Sequence, residues 1–257
     1  MNNLTYFLII FFSMVFIAVS SFFFWKYQSN KRQLLKRFKG GNVIVFGAKG
    51  KGKDLLFQKV IEWKKKDKYF ANMPYGYNFK KITLKDLDIG NTYHNFINED
   101  INKIDKREDM ENADIYISDV GVYLPSQYDS VLHKTYPSFP IYYALSRQLY
   151  ANNIHANSQN LERAWKALRE QADTFVWCRE TIKLPFILIT RVIVYDKYAS
   201  ANNRLLPMKR KIANKEHNAL YEQYKATNGL IQNMYIINFK RKIKYDTRYF
   251  AKLVFND

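Results

Sequence analysis

Residues 1–25 contain no Lys, Arg, Asp or Glu, and this single feature limits the chain's options most. Within it, Leu4 to Trp25 is an unbroken apolar run, LTYFLIIFFSMVFIAVSSFFFW. As a helix, its 22 residues reach about 33 Å at 1.5 Å each, enough to cross a bilayer's hydrocarbon core. In that core only a helix satisfies its own backbone locally. Tyr6 and Trp25 stand near the two ends, where amphipathic rings favour the interface. A cleaved signal peptide is the competing reading. It requires bases before the run and small residues after it. Here the bases follow, and the exit is Phe22-Phe23-Phe24-Trp25-Lys26, which favours an uncleaved anchor.

Charge divides the remainder. Residues 26–42 carry six bases (Lys26, Lys31, Arg32, Lys36, Arg37, Lys39) and no acid. By the positive-inside rule they put the following chain in the cytoplasm, after a single pass through the membrane. The lone Cys178 excludes a disulfide framework and suits a reducing compartment. Residues 26–42 are expected to be a basic juxtamembrane linker lying against anionic lipid, with a contribution to DNA binding as the alternative. Residues 43–195 are balanced at net +4 and residues 196–257 are net +8, within a total of +18. This gives four parts: anchor 1–25, linker 26–42, a central domain 43–195 and a basic extension 196–257. The four histidines (His94, His133, His155, His217) are scattered without cysteine partners, so no structural zinc pattern exists.

The central domain opens with a short β-branched run, Asn42-Val43-Ile44-Val45-Phe46, which reads as a buried strand. It enters Gly47-Ala48-Lys49-Gly50-Lys51-Gly52-Lys53-Asp54, and a helical pattern follows from Leu55. Strand, glycine loop and helix form the context in which G-x-x-x-x-G-K reads as a P-loop. Glycines let the backbone close on phosphate, the helix N-terminus favours the anion, and Lys53 supplies a point charge. Residues 47–55, Leu55 included, are the expected cradle for ATP. The eighth position of the motif should be a Ser or Thr ligating Mg²⁺, and it is Asp54, whose carboxylate can also bind a hard cation. A glycine-lysine turn with no nucleotide is the bland alternative.

A P-loop needs an acid at the end of a neighbouring strand to hold Mg²⁺ through water. The strand Ala113–Ser118, ending in Asp119, offers one, so Asp54 and Asp119 are the expected metal residues. Val120 follows, where motor ATPases usually carry the glutamate that polarises the attacking water. A helix is expected near Pro140–Tyr150 and a strand over Asn153–Ser158. Gln159, at that strand's end, is the candidate to sense the γ-phosphate or orient water. Arg147 is either an arginine finger reaching a neighbouring subunit or a surface salt-bridge residue. Leu161–Asp173 reads as one helix with an apolar face of Leu161, Ala164, Trp165 and Leu168. Trp165 reads as core rather than as a base-stacking platform. Thr174–Arg179 and Phe186–Tyr195 read as further strands. Alternating strands and helices predict an α/β domain with a mostly parallel sheet flanked by helices.

The order GAKGKGKD, YFANMP, IYISD, ALSRQL, NSQNLERAWKALREQAD and TFVWC resembles that of the zonular occludens toxin-like (Zot-like) ATPases of filamentous phages. These belong to the FtsK/HerA class of P-loop motors. The resemblance spans 43–190, more than half of the chain. It implies an ATP- and Mg²⁺-dependent enzyme, with Lys53, Asp119, Gln159 and Arg147 as its catalytic set. It also implies a homo-oligomer, commonly a ring, that handles phage DNA with other assembly proteins during assembly, export or packaging. Asp54 and Val120 depart from the family pattern, and many members carry their membrane helix after the ATPase domain. Two other functions remain open: a membrane-bound scaffold that binds nucleotide or DNA without turnover, and a basic membrane protein that docks a partner.

The basic extension carries four bases between Leu205 and Lys215, a helix start at Glu216, and alternating apolar and basic residues over Tyr235–Phe239 and Lys240–Tyr245. It reads either as a nucleic-acid surface or as a lysine-guarded sheet edge. Asp246-Thr247-Arg248 has no assigned role.

Overall fold

Residues 3–65, 69–76, 79–88, 108–196, 232–240 and 243 are described by a computed structural model. Eight strands form one sheet, in the order β3-β2-β4-β5-β1-β6-β7-β8. They are β1 (Val43–Phe46), β2 (Tyr69–Ala71), β3 (Phe79–Lys81), β4 (Asp114–Ile117), β5 (Asn153–Ser158), β6 (Thr174–Lys183), β7 (Ile187–Tyr195) and β8 (Gln232–Phe239). The pairs from β3 to β6 are parallel, whereas β6–β7 and β7–β8 are antiparallel. The chain is therefore α/β with a mostly parallel sheet, as its alternating pattern predicts.

β1 is buried on both faces, which explains its continuous apolar run. Ile44 and Phe46 enter one core, with Phe139 and Tyr143 from the helix Phe139–Tyr150 and Trp165 from the extended residues before Lys166. Val43 and Val45 enter the other, beneath Leu56, Phe57 and Val60 of helix α2 (Lys53–Lys64). The connection from β1 through α2 leads to β2 on one side, while β6 lies on the other. The turn after β1 thus sits where the strand order reverses, the usual crevice for ligands in open α/β sheets.

Several expectations are corrected. The strand bearing Ser118 and Asp119 does not neighbour β1, because β5 lies between them. The basic linker is not separate from the anchor: one helix, α1 (Asn3–Gly40), runs through both. Its lower part is packed onto the domain rather than left to lipid. Leu34 and Phe38 are fully buried, Tyr27 and Lys31 lie against Trp63, and Arg37 pairs with Asp196. Lys64 at the end of α2 bonds the Phe38 carbonyl at 2.7 Å and pairs with buried Asp114 at 2.9 Å, tying α1, α2 and β4 together. Above this, the described side chains from Tyr6 to Lys26 are exposed, and the helix is long and apolar enough to cross a membrane.

Leu161–Asp173 is not one helix. A short turn at Leu161–Arg163 precedes extended Ala164 and Trp165, and a helix runs only over Lys166–Gln171. The break lets Ala164 bridge Pro125 and lets Trp165 sink fully into the core, its indole donating to Asp129 at 2.6 Å. β8 belongs to the 196–257 segment by composition, yet it is the last strand of the same sheet. The Leu205–Lys215 run, the helix start at Glu216, Asp246–Arg248 and most of Lys240–Tyr245 lie outside the described residues.

Candidate functional site

The loop between β1 and α2 turns sharply and passes close to its neighbours. Gly47 has φ +151°, and a side chain there would meet the Cys178 carbonyl at 2.4 Å. Gly52 has φ +83°, and a side chain there would meet Thr190 Oγ1 at 2.6 Å. Both positions demand glycine, for close approach and for backbone conformation. Ala48, Lys49 and Gly50 form the exposed rim between them. Lys53, the first residue of α2, is buried, and its ammonium donates to the carbonyls of Gly47 at 3.0 Å and Ala48 at 3.4 Å. The lysine thus spans its own loop at a helix N-terminus, where anions are favoured. Leu55 is buried beneath it.

Asp54 faces inward from the first turn of α2. Its Oδ1 accepts from the Asn157 amide at 2.9 Å, the Tyr75 hydroxyl at 3.0 Å and Ser118 Oγ at 3.2 Å. The Tyr75 and Ser118 hydroxyls also lie against each other, so with one proton apiece they donate in at most two of the three contacts among Tyr75, Ser118 and Asp54 at once, and burial, followed by the Asp54 charge, pushes the Tyr75 phenol well up. Ser118 is fixed by Asn72, whose side chain donates to the Ser118 carbonyl at 3.0 Å and accepts its N–H at 2.8 Å. Asn157 donates to Ser118 Oγ at 3.1 Å and accepts the Asp119 N–H at 2.9 Å. Three strand ends and the start of α2 are thereby joined in one network.

Asp119 follows β4 in the left-handed region, at φ 52° and ψ 44°, where Asp is among the few tolerated non-glycine residues. Its carboxyl is held above the ordinary range by burial, then by the Asp54 charge, with Lys53 and Lys49 acting the other way. The loop lysine and both candidate metal carboxylates therefore share one electrostatic neighbourhood. Two like charges in a partly desolvated site suit a divalent cation, which would neutralise both. No cluster of three acidic, histidine or cysteine ligands exists among the described residues. Mg²⁺ does not need one, because it is usually held by one or two carboxylates together with phosphate and water. Val120 is fully buried, so no carboxylate follows Asp119.

Of the remaining candidates, Gln159 lies beside Asp119 and Arg147 lies elsewhere. Gln159 is exposed and borders a small cleft with Asp119, Gly121, Ser158 and Arg163. The polar group that reaches the loop helix from β5 is Asn157. Parity carried the signal for this. Asn157 pairs with Val45 and shares the α2 face of the sheet with His155, whereas Ser158 faces the other way. Arg147, on the helix Phe139–Tyr150, donates to the Gly40 carbonyl at the opposite end of β1 from the loop. Within one chain it does not approach the site. Tyr75, Asn72 and Ser118 were not candidates from sequence, since nothing local distinguishes them from turn residues.

No protein-family model matches the chain, and no curated protein matches it. Several solved structures are similar in backbone. The N-terminal domain of zonular occludens toxin from Neisseria meningitidis is 10% identical, over 82% of this chain and 97% of that one, with a TM-score of 0.44. The genome packaging NTPase B204 of Sulfolobus turreted icosahedral virus 2, in complex with AMPPCP, is 12% identical, over 81% and 96%, at 0.40. EssC (ATPases 2 and 3) from Geobacillus thermodenitrificans is 10% identical, over 83% of this chain and 42% of that one, at 0.37.

Proposed function

We propose that this chain is a membrane-anchored P-loop ATPase that acts on phage DNA during assembly, export or packaging. The observation that supports it best is the Lys53-spanned loop at the sheet's switch point, with Asp119 and Asn157 at the next two strand ends. In this reading the loop and α2 hold the triphosphate, and Lys53 turns from its loop carbonyls toward the β/γ-phosphates. Asp54 and Asp119 would hold Mg²⁺, which supplies charge neutralisation on the phosphates. Asn157 joins the Asp54 carboxylate to the backbone N–H of Asp119 and so holds the two acids together. Gln159 borders the cleft beside Asp119, where it can reach a bound phosphate or its water; Arg147 lies away from the site within one subunit, so a finger role would require a neighbouring subunit.

The membrane role rests on α1, and the DNA role on the motif order and the basic flanks. Phosphate release from ATP by the 257-residue chain in lipid bilayers tests the whole reading. Stimulation by single- or double-stranded DNA is expected, and turnover indifferent to both would remove the DNA role. A second reading, nucleotide binding without turnover, is favoured by two observations: Val120 is buried where a glutamate is needed, and Asp54 is already committed to three donors. Binding with no phosphate release above the Lys53→Ala background would select it.

A further inference from the structure

The antiparallel end of the sheet carries an apolar surface that no nucleotide chemistry uses. β6 pairs with β1 only as far as Trp177, then runs on with β7 alone. The turn between them exposes Leu184 and Phe186, the latter 76% exposed, beside Ile182 at 46% and Phe239 at 51%. Exposed Lys183 and Lys240 flank this patch. Apolar area of this kind, clustered and rimmed by bases, marks a contact surface rather than scattered surface residues.

α1 identifies the occupant. Phe22, Phe23, Lys26 and Tyr27 share a cavity of about 370 Å³ with Ile182, Ile189 and Ile237 of the three antiparallel strands. Phe22 and Phe23 belong to the last turn of the charge-free run, and Lys26 is its first base. Any bilayer that holds this run brings its interface to the level of the β6–β7 turn. Aromatic and aliphatic side chains rimmed by lysine suit that level when the leaflet is anionic. We propose that the β6–β7 turn, through Leu184 and Phe186, dips into the interface of the membrane that α1 crosses. This second contact fixes the orientation of the nucleotide domain against the lipid. The inference rests on α1 spanning the bilayer.

The test uses three single-cysteine positions in the 257-residue chain: Phe186→Cys at the turn, Phe16→Cys within the run, and Lys166→Cys on the far helix. Each carries an environment-sensitive NBD label, in vesicles of phosphatidylcholine and phosphatidylglycerol with doxyl-labelled lipid. Cys178 stays unlabelled, because it is fully buried and its thiol is pushed up to about 12 by that burial. The expected result is blue-shifted emission and strong quenching at Phe186→Cys by shallow doxyl groups. Phe16→Cys should be quenched by deep ones, and Lys166→Cys by neither. Quenching at position 16 with position 186 behaving like position 166 overturns the second contact and leaves the anchor intact. Quenching at neither overturns both.

Discussion

Asn157 is the residue on which the account can be tested most sharply by stability. It is fully buried and makes three bonds: to Asp54, to Ser118 Oγ and from the Asp119 N–H. A buried hydrogen bond contributes about 1 kcal/mol net, and one to a charged partner about 1.5–3 kcal/mol. Ser118 Oγ keeps Tyr75 and Asp54, so its loss is small. The Asp119 N–H and the Asp54 carboxylate lose one partner each. Asn157→Ala is therefore expected to cost about 3 kcal/mol, more than a hundredfold in the folding equilibrium. Asn157→Asp keeps the shape but replaces the donor 2.9 Å from Asp54 with a second carboxylate. Two carboxylates at that distance cannot both ionise cheaply and come to share a proton. At pH 7 this variant should be less stable than Asn157→Ala, and it should recover as pH falls toward 5. Urea unfolding in mild detergent, followed by Trp165 and Trp177 fluorescence, reads both effects, with exposed Gln159→Ala as a near-neutral control. An Asn157→Asp protein as stable as the parent at pH 7 would refute the network.

Other outcomes follow from the same geometry. Phe38→Ala should destabilise the domain by about 3–5 kcal/mol, because the ring is fully buried between α1, α2 and β5, while exposed Lys36→Ala should change little. Equal unfolding midpoints for the two would return 26–40 to the role of a lipid-bound linker. Asp119 titrates above its unfolded value, so its ionisation in the fold opposes stability at neutral pH, and this penalty lifts as pH falls through the raised folded value. Asp119 makes no side-chain cap bond, so Asp119→Asn should be at least as stable as the parent at pH 7, with a flatter acid-side profile. The same variant should lose stabilisation by Mg²⁺ plus nucleotide, read as a thermal shift. A retained shift would remove Asp119 from the metal site.

The central fold was legible because its signals are local: β1 is continuous and apolar, the glycine loop has one conformational solution, and β5 was bounded correctly at both ends. What was missed depends on pairing across the sheet. That β5 intervenes between β1 and β4 is a property of strand order, which no single segment encodes. Leu34 and Phe38 lie four apart among six bases, so charge masked a helix face that packs. The break at Ala164–Trp165 was hidden by sound helical spacing, which lost to the burial of one indole. Asn157 was passed over for Gln159, which shares its parity but lies one residue past the end of β5, where the strand no longer holds a side chain against α2.

Nucleotide affinity measured with and without the loop lysine tests the central claim most directly. Titrating a fluorescent ATP analogue and Mg²⁺ into the 257-residue chain in detergent should give saturable binding. Lys53→Ala should weaken that binding at least tenfold, about 1.4 kcal/mol, measured at a temperature where both proteins are folded. Identical affinity in the two proteins, or no binding by either, would contradict the reading of residues 47–54 as a phosphate cradle.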